Sequence, residues 1–307
     1  MAFYPDWQEV AQGGAALFRV HDPYELVCSG AFINRVRTAA DFTPLFVTAG
    51  HCVVSGDIDS VLVTCAYQTV DGAGTPCCPS KQCPDPEQQY GGRIPDISQL
   101  PQILGATLLV QIYPAPDIAL LGPAFDVPAG VTWLDSSSES LGADADVAGI
   151  HRPRGSSKRV AFRSVSDSSV NYYDITWPQG NGLVERASSD SPLIDQDRRI
   201  RGVVKDGLPD PDCDGNASAS YSRSDAAYDS LWMFLYVVNP VYVDSGGPLF
   251  APAAGRVASA FRIFKKAIYA VIAGGDMYLE AESYNAPFIF TKPVVLHGGN
   301  GLVAIGE

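Results

Sequence analysis

No apolar run in this chain is long enough to cross a bilayer. About 18 uninterrupted apolar residues are needed, and the longest candidate, Leu231 to Val243, is broken by Asn239-Pro240. The expectation is a soluble protein without a membrane partner. Basic residues are also scarce, with 21 Lys+Arg against 34 Asp+Glu and a net charge of -13. A field of that sign repels a phosphate backbone, so nucleic acid is excluded as a partner. Long amphipathic helical patterns are missing too. In their place 29 glycines and 23 prolines punctuate short Val/Ile/Phe/Tyr runs, the texture of many strands joined by tight turns. The N-terminal MAFYPDWQEVAQGG has neither the basic start nor the apolar core of a signal peptide.

Seven cysteines are present, and Cys65, Cys77, Cys78 and Cys83 lie in or near one Gly/Pro-rich loop. Cys-Cys-Pro-Ser-Lys-Gln-Cys lacks the paired spacing of a zinc ribbon and has no histidine nearby, so disulfides are expected there and no metal. Such usage suits an oxidising compartment, so the protein is expected to be secreted or extracytoplasmic, its signal segment absent from this chain. No cofactor is implied, and a monomer is expected.

The 307 residues suffice for one main all-β domain with an appendage. Strand-like runs alternate with polar turns from Ala15 to Val70, give way to a loop over 71–101, and resume at ATLLVQIY. A second set follows in VAGIHRP, SKRVAFRSV, NYYDITW, GLVERASSDSPLI and RRIRGVVKDG. Two similar halves are what a double antiparallel β-barrel requires. After Asn239-Pro240 the texture changes: FRIFKKAIYAVIAGG reads as a short helix, and MYLEAESYNAPFIFTKPVVLHGGNGLVAIG as three short strands. The expected division is therefore 1–240 and 241–307.

The strongest chemical signal is Phe46-Val47-Thr48-Ala49-Gly50-His51-Cys52, an apolar strand end that delivers one of only four histidines beside a cysteine. A bridge from Cys52 to Cys28 would pin the turn carrying His51, and a general base must be held tightly to collect a hydroxyl proton. Asp117 heads the apolar run Ile118-Ala119-Leu120-Leu121, where burial against an imidazole would orient it. The order histidine, aspartate, serine is that of the chymotrypsin-type triad. Two serines compete for the third place. Ser245 lies in Asp244-Ser245-Gly246-Gly247-Pro248-Leu249, and Ser189 in Ala187-Ser188-Ser189-Asp190-Ser191-Pro192. Ser189 leaves about 70 residues after Asp117 and about 50 before the Asn239-Pro240 break, which packs more economically. Ser245 stays in play as the alternative nucleophile.

Several blocks together, CSGAFINRVRTAADFTPLFVTAGHCV, ATLLVQIYPAPDIALL, VAGIHRPRGSSKRVAF and GLVERASSDSPLIDQDRRIRGVV with Cys213 beyond, resemble the lysyl endopeptidase group of bacterial trypsin-like serine proteases over about residues 15–240. The resemblance implies a trypsin-like double barrel, a protein or peptide substrate, and a catalytic set of His51, Asp117 and Ser189. The amides of Ala187 and Ser189 would form the oxyanion hole. The group's turn has glycine where this chain has Ala187 and Asp190, which opens a second reading, a protease fold serving as a binding or scaffold module after loss of catalysis. Ala219-Ser220-Tyr221-Ser222-Arg223 carries no aspartate at the group's lysine-recognising position, so cleavage after lysine is not implied. The tail resembles the opening coil of a right-handed parallel β-helix, and that reading makes Ser245 a structural residue.

Overall fold

The structure is a computed structural model that describes residues 4–20, 25–34, 44–53, 58–67, 96–123, 127–152, 158–178, 188–208, 217–235, 240–246, 260–284, 290, 292–299 and 301–306. Among these no helix is long and apolar enough to cross a membrane. The chain divides into two compact units, Met1–Ile33 with Pro44–Tyr228 and Asn34–Thr43 with Asp229–Glu307, so the main boundary falls about ten residues before the break at Asn239-Pro240.

The first unit opens with a short helix, α1 (Gln8–Gln12), and is otherwise built from two curled sheets, as the alternating patterns required. One contains β1 (Gly14–Arg19), β2 (Glu25–Ile33), β3 (Leu45–Thr48), β4 (Val61–Thr64), β5 (Gln102–Leu104), β6 (Ala106–Ile112) and β7 (Ile118–Pro123). Its order is β5-β4-β1-β2-β3-β7-β6, with every pair antiparallel. Leu17, Phe32, Phe46, Val63, Ile103 and Leu121 fill its interior. Gly30 is obligatory on β2, because a Cβ there would lie 2.3 Å from the Phe46 ring and 2.7 Å from the Val47 carbonyl oxygen. That close approach lets β2 and β3 pack flush.

The second sheet contains β8 (Asp135–Ser136), β9 (Asp146–His151), β10 (Arg159–Ser164), β11 (Asp167–Ser168), β12 (Tyr172–Trp177), β13 (Pro192–Asp195), β14 (Arg199–Leu208) and β15 (Ala217–Arg223). It runs β10-β9-β13-β14-β15-β12-β11, antiparallel throughout, with β8 parallel to β14. On β12 the period of two is clean: Tyr173, Ile175 and Trp177 are buried and the residues between them are half-exposed. They join Val147, Leu193, Val204 and Tyr221 in one core. This is the expected all-β, double-barrel architecture.

Two devices tie the sheets together. The buried Arg152 guanidinium, just past β9, donates to the carbonyls of Gly14 and Ala15 on β1, each at 2.9 Å. The Ser29 amide on β2 donates to the carbonyl of Ser189 at 2.9 Å, anchoring the turn before β13 to the first sheet.

The second unit contains α2 (Tyr228–Leu235), α3 (Phe264–Ala270), β16 (Val241–Val243), β17 (Gly275–Leu279), β18 (Ser283–Tyr284), β19 (Val294–Gly298) and β20 (Ala304–Ile305). Its strands stack in parallel, β16-β17-β19 and β18-β20. Register places Tyr242, Tyr278 and His297 above one another, with ring centroids 5.1 and 4.5 Å apart. The expected helix is α3; among the described residues the tail beyond it holds four strands rather than three, Ser283–Tyr284 and Ala304–Ile305 forming a pair of their own.

Candidate active site

β3 ends at Thr48 and the chain turns through Ala49 into a short 3-10 helix, Gly50–Val53, that carries His51. Cys52 in this turn is disulfide-bonded to Cys28 on β2, so the turn is pinned covalently to the next strand. The pinning matters because a four-residue helix has little stability of its own. Asp117, 2% exposed, stands at the head of β7. One carboxylate oxygen accepts the His51 backbone N–H at 2.8 Å and the other lies 2.6 Å from His51 Nδ1. The two contacts fix both the backbone and the ring of His51 relative to one carboxylate. Across from it the Gln111 amide on β6 donates to the Gly50 carbonyl at 3.0 Å.

The His51 side chain is 31% exposed, so part of the imidazole faces solvent. Its pKa is raised, first by the hydrogen bond to Asp117. Partial burial works against this, and the charges of Asp190, Asp117 and Asp206 add to it.

Ser188, Ser189 and Asp190 form the turn that leads into β13. Besides the Ser29–Ser189 bond, the Asp190 amide donates to the Val204 carbonyl at 2.8 Å, the Ser191 amide to Ser188 at 3.1 Å, and the Val204 amide to Ser191 at 3.0 Å. The turn is thus clamped between β2 and β14. Ser189 is half-buried, while Ser188, Asp190 and Ser191 are buried. Ala187, the other expected oxyanion donor, lies outside the described residues.

Asp190, which stands where the group has glycine, is 0% exposed and lies in the left-handed region at φ +73. Thr48 Oγ1 donates to its Oδ2 at 2.8 Å, while Oδ1 has no hydrogen-bond partner among the described residues. Burial pushes its pKa up to about 7, against the lowering influence of His51 and of the Thr48 hydrogen bond. A carboxylate oxygen of Asp190, a ring nitrogen of His51 and the sulfurs of Cys28 and Cys52 all lie within 4.8 Å of one another. With the sulfurs joined in a disulfide, only two of these four remain as donors. The cluster therefore brings the serine turn against the histidine turn.

Ser245 is engaged elsewhere. In the second unit its amide donates to Glu282 Oε1 at 2.6 Å and its hydroxyl to Glu282 Oε2, while Arg262 Nε donates to its carbonyl at 3.0 Å. Of the loop cysteines only Cys65 is described. It is a free, buried thiol whose pKa burial pushes up to about 11, rather than a member of a disulfide. Cys77, Cys78, Cys83 and Cys213 lie outside the described residues.

Two groupings have no counterpart in the sequence reading. His151, in VAGIHRP, is 1% exposed, with Nε2 3.2 Å from the Tyr221 hydroxyl and its ring edge-on to Trp177; burial drives its pKa down to about 3, so it is a neutral core residue. Ser220 donates its hydroxyl to Asp174 across the β12–β15 pair, so a carboxylate does reach Ser220, from a neighbouring strand. Cross-strand register makes the Asp174–Ser220 contact, and packing in the interior of the sheet brings His151 to Tyr221; no linear motif encodes either.

The family model described as "Lysyl endopeptidase, C-terminal domain" matches residues 5–225, more than two thirds of the chain. The chain belongs to the lysyl endopeptidase family. The match covers the two sheets and ends before Asp229, where the C-terminal part of the second unit begins. Lysyl endopeptidase-type chemistry is serine-protease chemistry, and the histidine and serine turns both fall inside the matched span. Among solved structures, the chain is similar to Rv3671c from M. tuberculosis H37Rv, a serine-to-alanine mutant in an inactive form. The identity is 14% over 73% of this chain and 87% of that one, with a TM-score of 0.43.

Proposed function

We propose that this member of the lysyl endopeptidase family is a serine endopeptidase with His51, Asp117 and Ser189 as its triad. The observation that carries the reading is the two-point grip of Asp117 on His51, through the backbone N–H at 2.8 Å and Nδ1 at 2.6 Å. A carboxylate at Nδ1 keeps that nitrogen protonated and leaves Nε2 as the basic atom.

In the proposed reaction Ser189 Oγ attacks the scissile carbonyl carbon and passes its proton to His51 Nε2, while Asp117 stabilises the imidazolium. The carbonyl electrons move to oxygen, where the amides of Ser189 and Ala187 receive the developing charge. Collapse expels the amine, which takes the proton from His51, and leaves an acyl group on Ser189. Water, deprotonated by His51, then releases the acid. The clamped serine turn supports this assignment, and the engagement of Ser245 by Glu282 argues against the rival serine. The Cys28–Cys52 disulfide favours an extracytoplasmic setting.

A second reading, a protease fold kept for binding, is favoured by the side chain and left-handed backbone of Asp190 directly after the serine. Hydrolysis of a denatured protein substrate by the wild type and by Ser189→Ala decides between them. The proposal expects cleavage that Ser189→Ala lowers by at least about 10³-fold. Equal cleavage by both forms, or none by either, overturns it.

A further inference from the structure

The buried carboxyl of Asp190 has no role in the triad, yet it lies against it. It sits one residue past Ser189, and one of its oxygens is within 4.8 Å of a His51 ring nitrogen. An opposite charge at about 4–6 Å favours the charged form of each partner. We propose that Asp190 is a second positioning carboxylate of the site, which faces His51 from the serine turn as Asp117 does from β7 and whose charge governs how readily His51 gives up its proton. The inference rests on the triad proposed above.

Three observations make Asp190 suited to this. The left-handed φ of +73 is one that aspartate and asparagine tolerate better than other residues with a Cβ, so this backbone admits a carboxyl where most side chains would strain it. Thr48 Oγ1 also lies 2.9 Å from the Ser29 carbonyl oxygen, so the hydroxyl, whose single proton serves one acceptor or the other, is held by β2 beside Asp190 Oδ2. A carboxylate oxygen of Asp190 is buried within 4.8 Å of the imidazole and the disulfide, with the Ala49 backbone amide also acting on the carboxyl.

The charged groups around the pair set the sign. Asp117 approaches His51 from β7, and Asp206 on β14 acts on it at longer range while its own carboxylate pairs with Lys205 at 2.7 Å. The Cys28–Cys52 disulfide does not titrate and Thr48 is neutral. Among the described residues the charges acting on His51 are all carboxylates, and burial brings the ionisation of Asp190 to about 7. Once ionised, the Asp190 carboxylate favours the imidazolium, so His51 becomes a base at higher pH than it would beside a neutral residue. The acid limb of activity therefore lies at higher pH with Asp190 than without it.

The test is an NMR titration of the His51 ring in the wild type, in Asp190→Asn and in Asp190→Gly. Asn keeps the shape, the Thr48 contact and tolerance of the left-handed backbone; Gly restores the unstrained residue if Asn fails to fold. His51 is expected to titrate at lower pH in the variants, and the ratio of variant to wild-type kcat/KM to be larger at pH 6 than at pH 9. An unchanged His51 midpoint in a folded variant overturns the inference, since a purely structural Asp190 would not move it. The NMR readout needs no turnover. A shifted midpoint in a protein that never cleaves would therefore uphold this inference while sinking the protease reading.

Discussion

Replacing Asp117 by asparagine isolates what the carboxylate does for His51. In the wild type both oxygens accept, one from the His51 amide at 2.8 Å and one from Nδ1 at 2.6 Å. Asparagine has one accepting oxygen and one donating NH2. If the oxygen keeps the backbone amide, the NH2 faces Nδ1, which must then accept, and the ring proton moves to Nε2. An imidazole in that tautomer cannot take a proton from Ser189. Because Asp117 is 2% exposed, water has little room to restore the lost contact. A wrong-tautomer substitution of this kind costs about 10⁴ in kcat, or about 5 kcal/mol of barrier. The fold loses a charge-assisted hydrogen bond worth about 1.5–3 kcal/mol, which leaves the protein folded. The assay is the rate of labelling of the wild type and Asp117→Asn by a fluorophosphonate, which needs the same activated serine without a known substrate, with a thermal melt run in parallel. A drop of about three to four decades in a folded variant is expected. Labelling within tenfold of the wild type would refute the assignment of Asp117.

Three further outcomes concern the scaffold. His151 has a folded pKa of about 3 against an ordinary 6.5, so its neutral burial favours folding fully above pH 6.5 and is progressively lost as pH falls towards 3. At 1.36 kcal/mol per pKa unit the full difference is about 5 kcal/mol, and urea melts of His151→Gln should show that much less acid sensitivity across this window. Removing the disulfide by Cys28→Ser with Cys52→Ser frees a loop spanning 24 residues, which should cost about 3–4 kcal/mol and lower Tm by about 10 °C in calorimetry. Asp195 pairs with the buried Arg201 at 2.8 Å, so Asp195→Asn leaves a buried cation unpaired and should destabilise by about 3–5 kcal/mol in the same denaturant assay.

The parts of this molecule that obey local rules were legible before the structure. Alternation along NYYDITW marks β12, and the apolar run ending in His51-Cys52 marks both a strand and the disulfide that steadies its turn. What escaped was decided by pairs distant in the chain. The burial of Asp190 is not written in Ser188-Ser189-Asp190-Ser191: Thr48, 142 residues away, meets its carboxyl in a buried turn. His151 looks like one more titratable group until Tyr221, 70 residues on, closes over it. Ser245 reads as a structural residue, but its partner is not legible: the hydroxyl donates to Glu282, 37 residues further on. Burial and cross-strand register set these outcomes, and neither is a property of a short string of residues.

The most direct measurement is the site of covalent attachment of a fluorophosphonate, located by tandem mass spectrometry on the intact chain. The account predicts phosphonylation of Ser189 and no adduct on Ser245. An adduct on Ser245, or none anywhere at saturating probe, would contradict it.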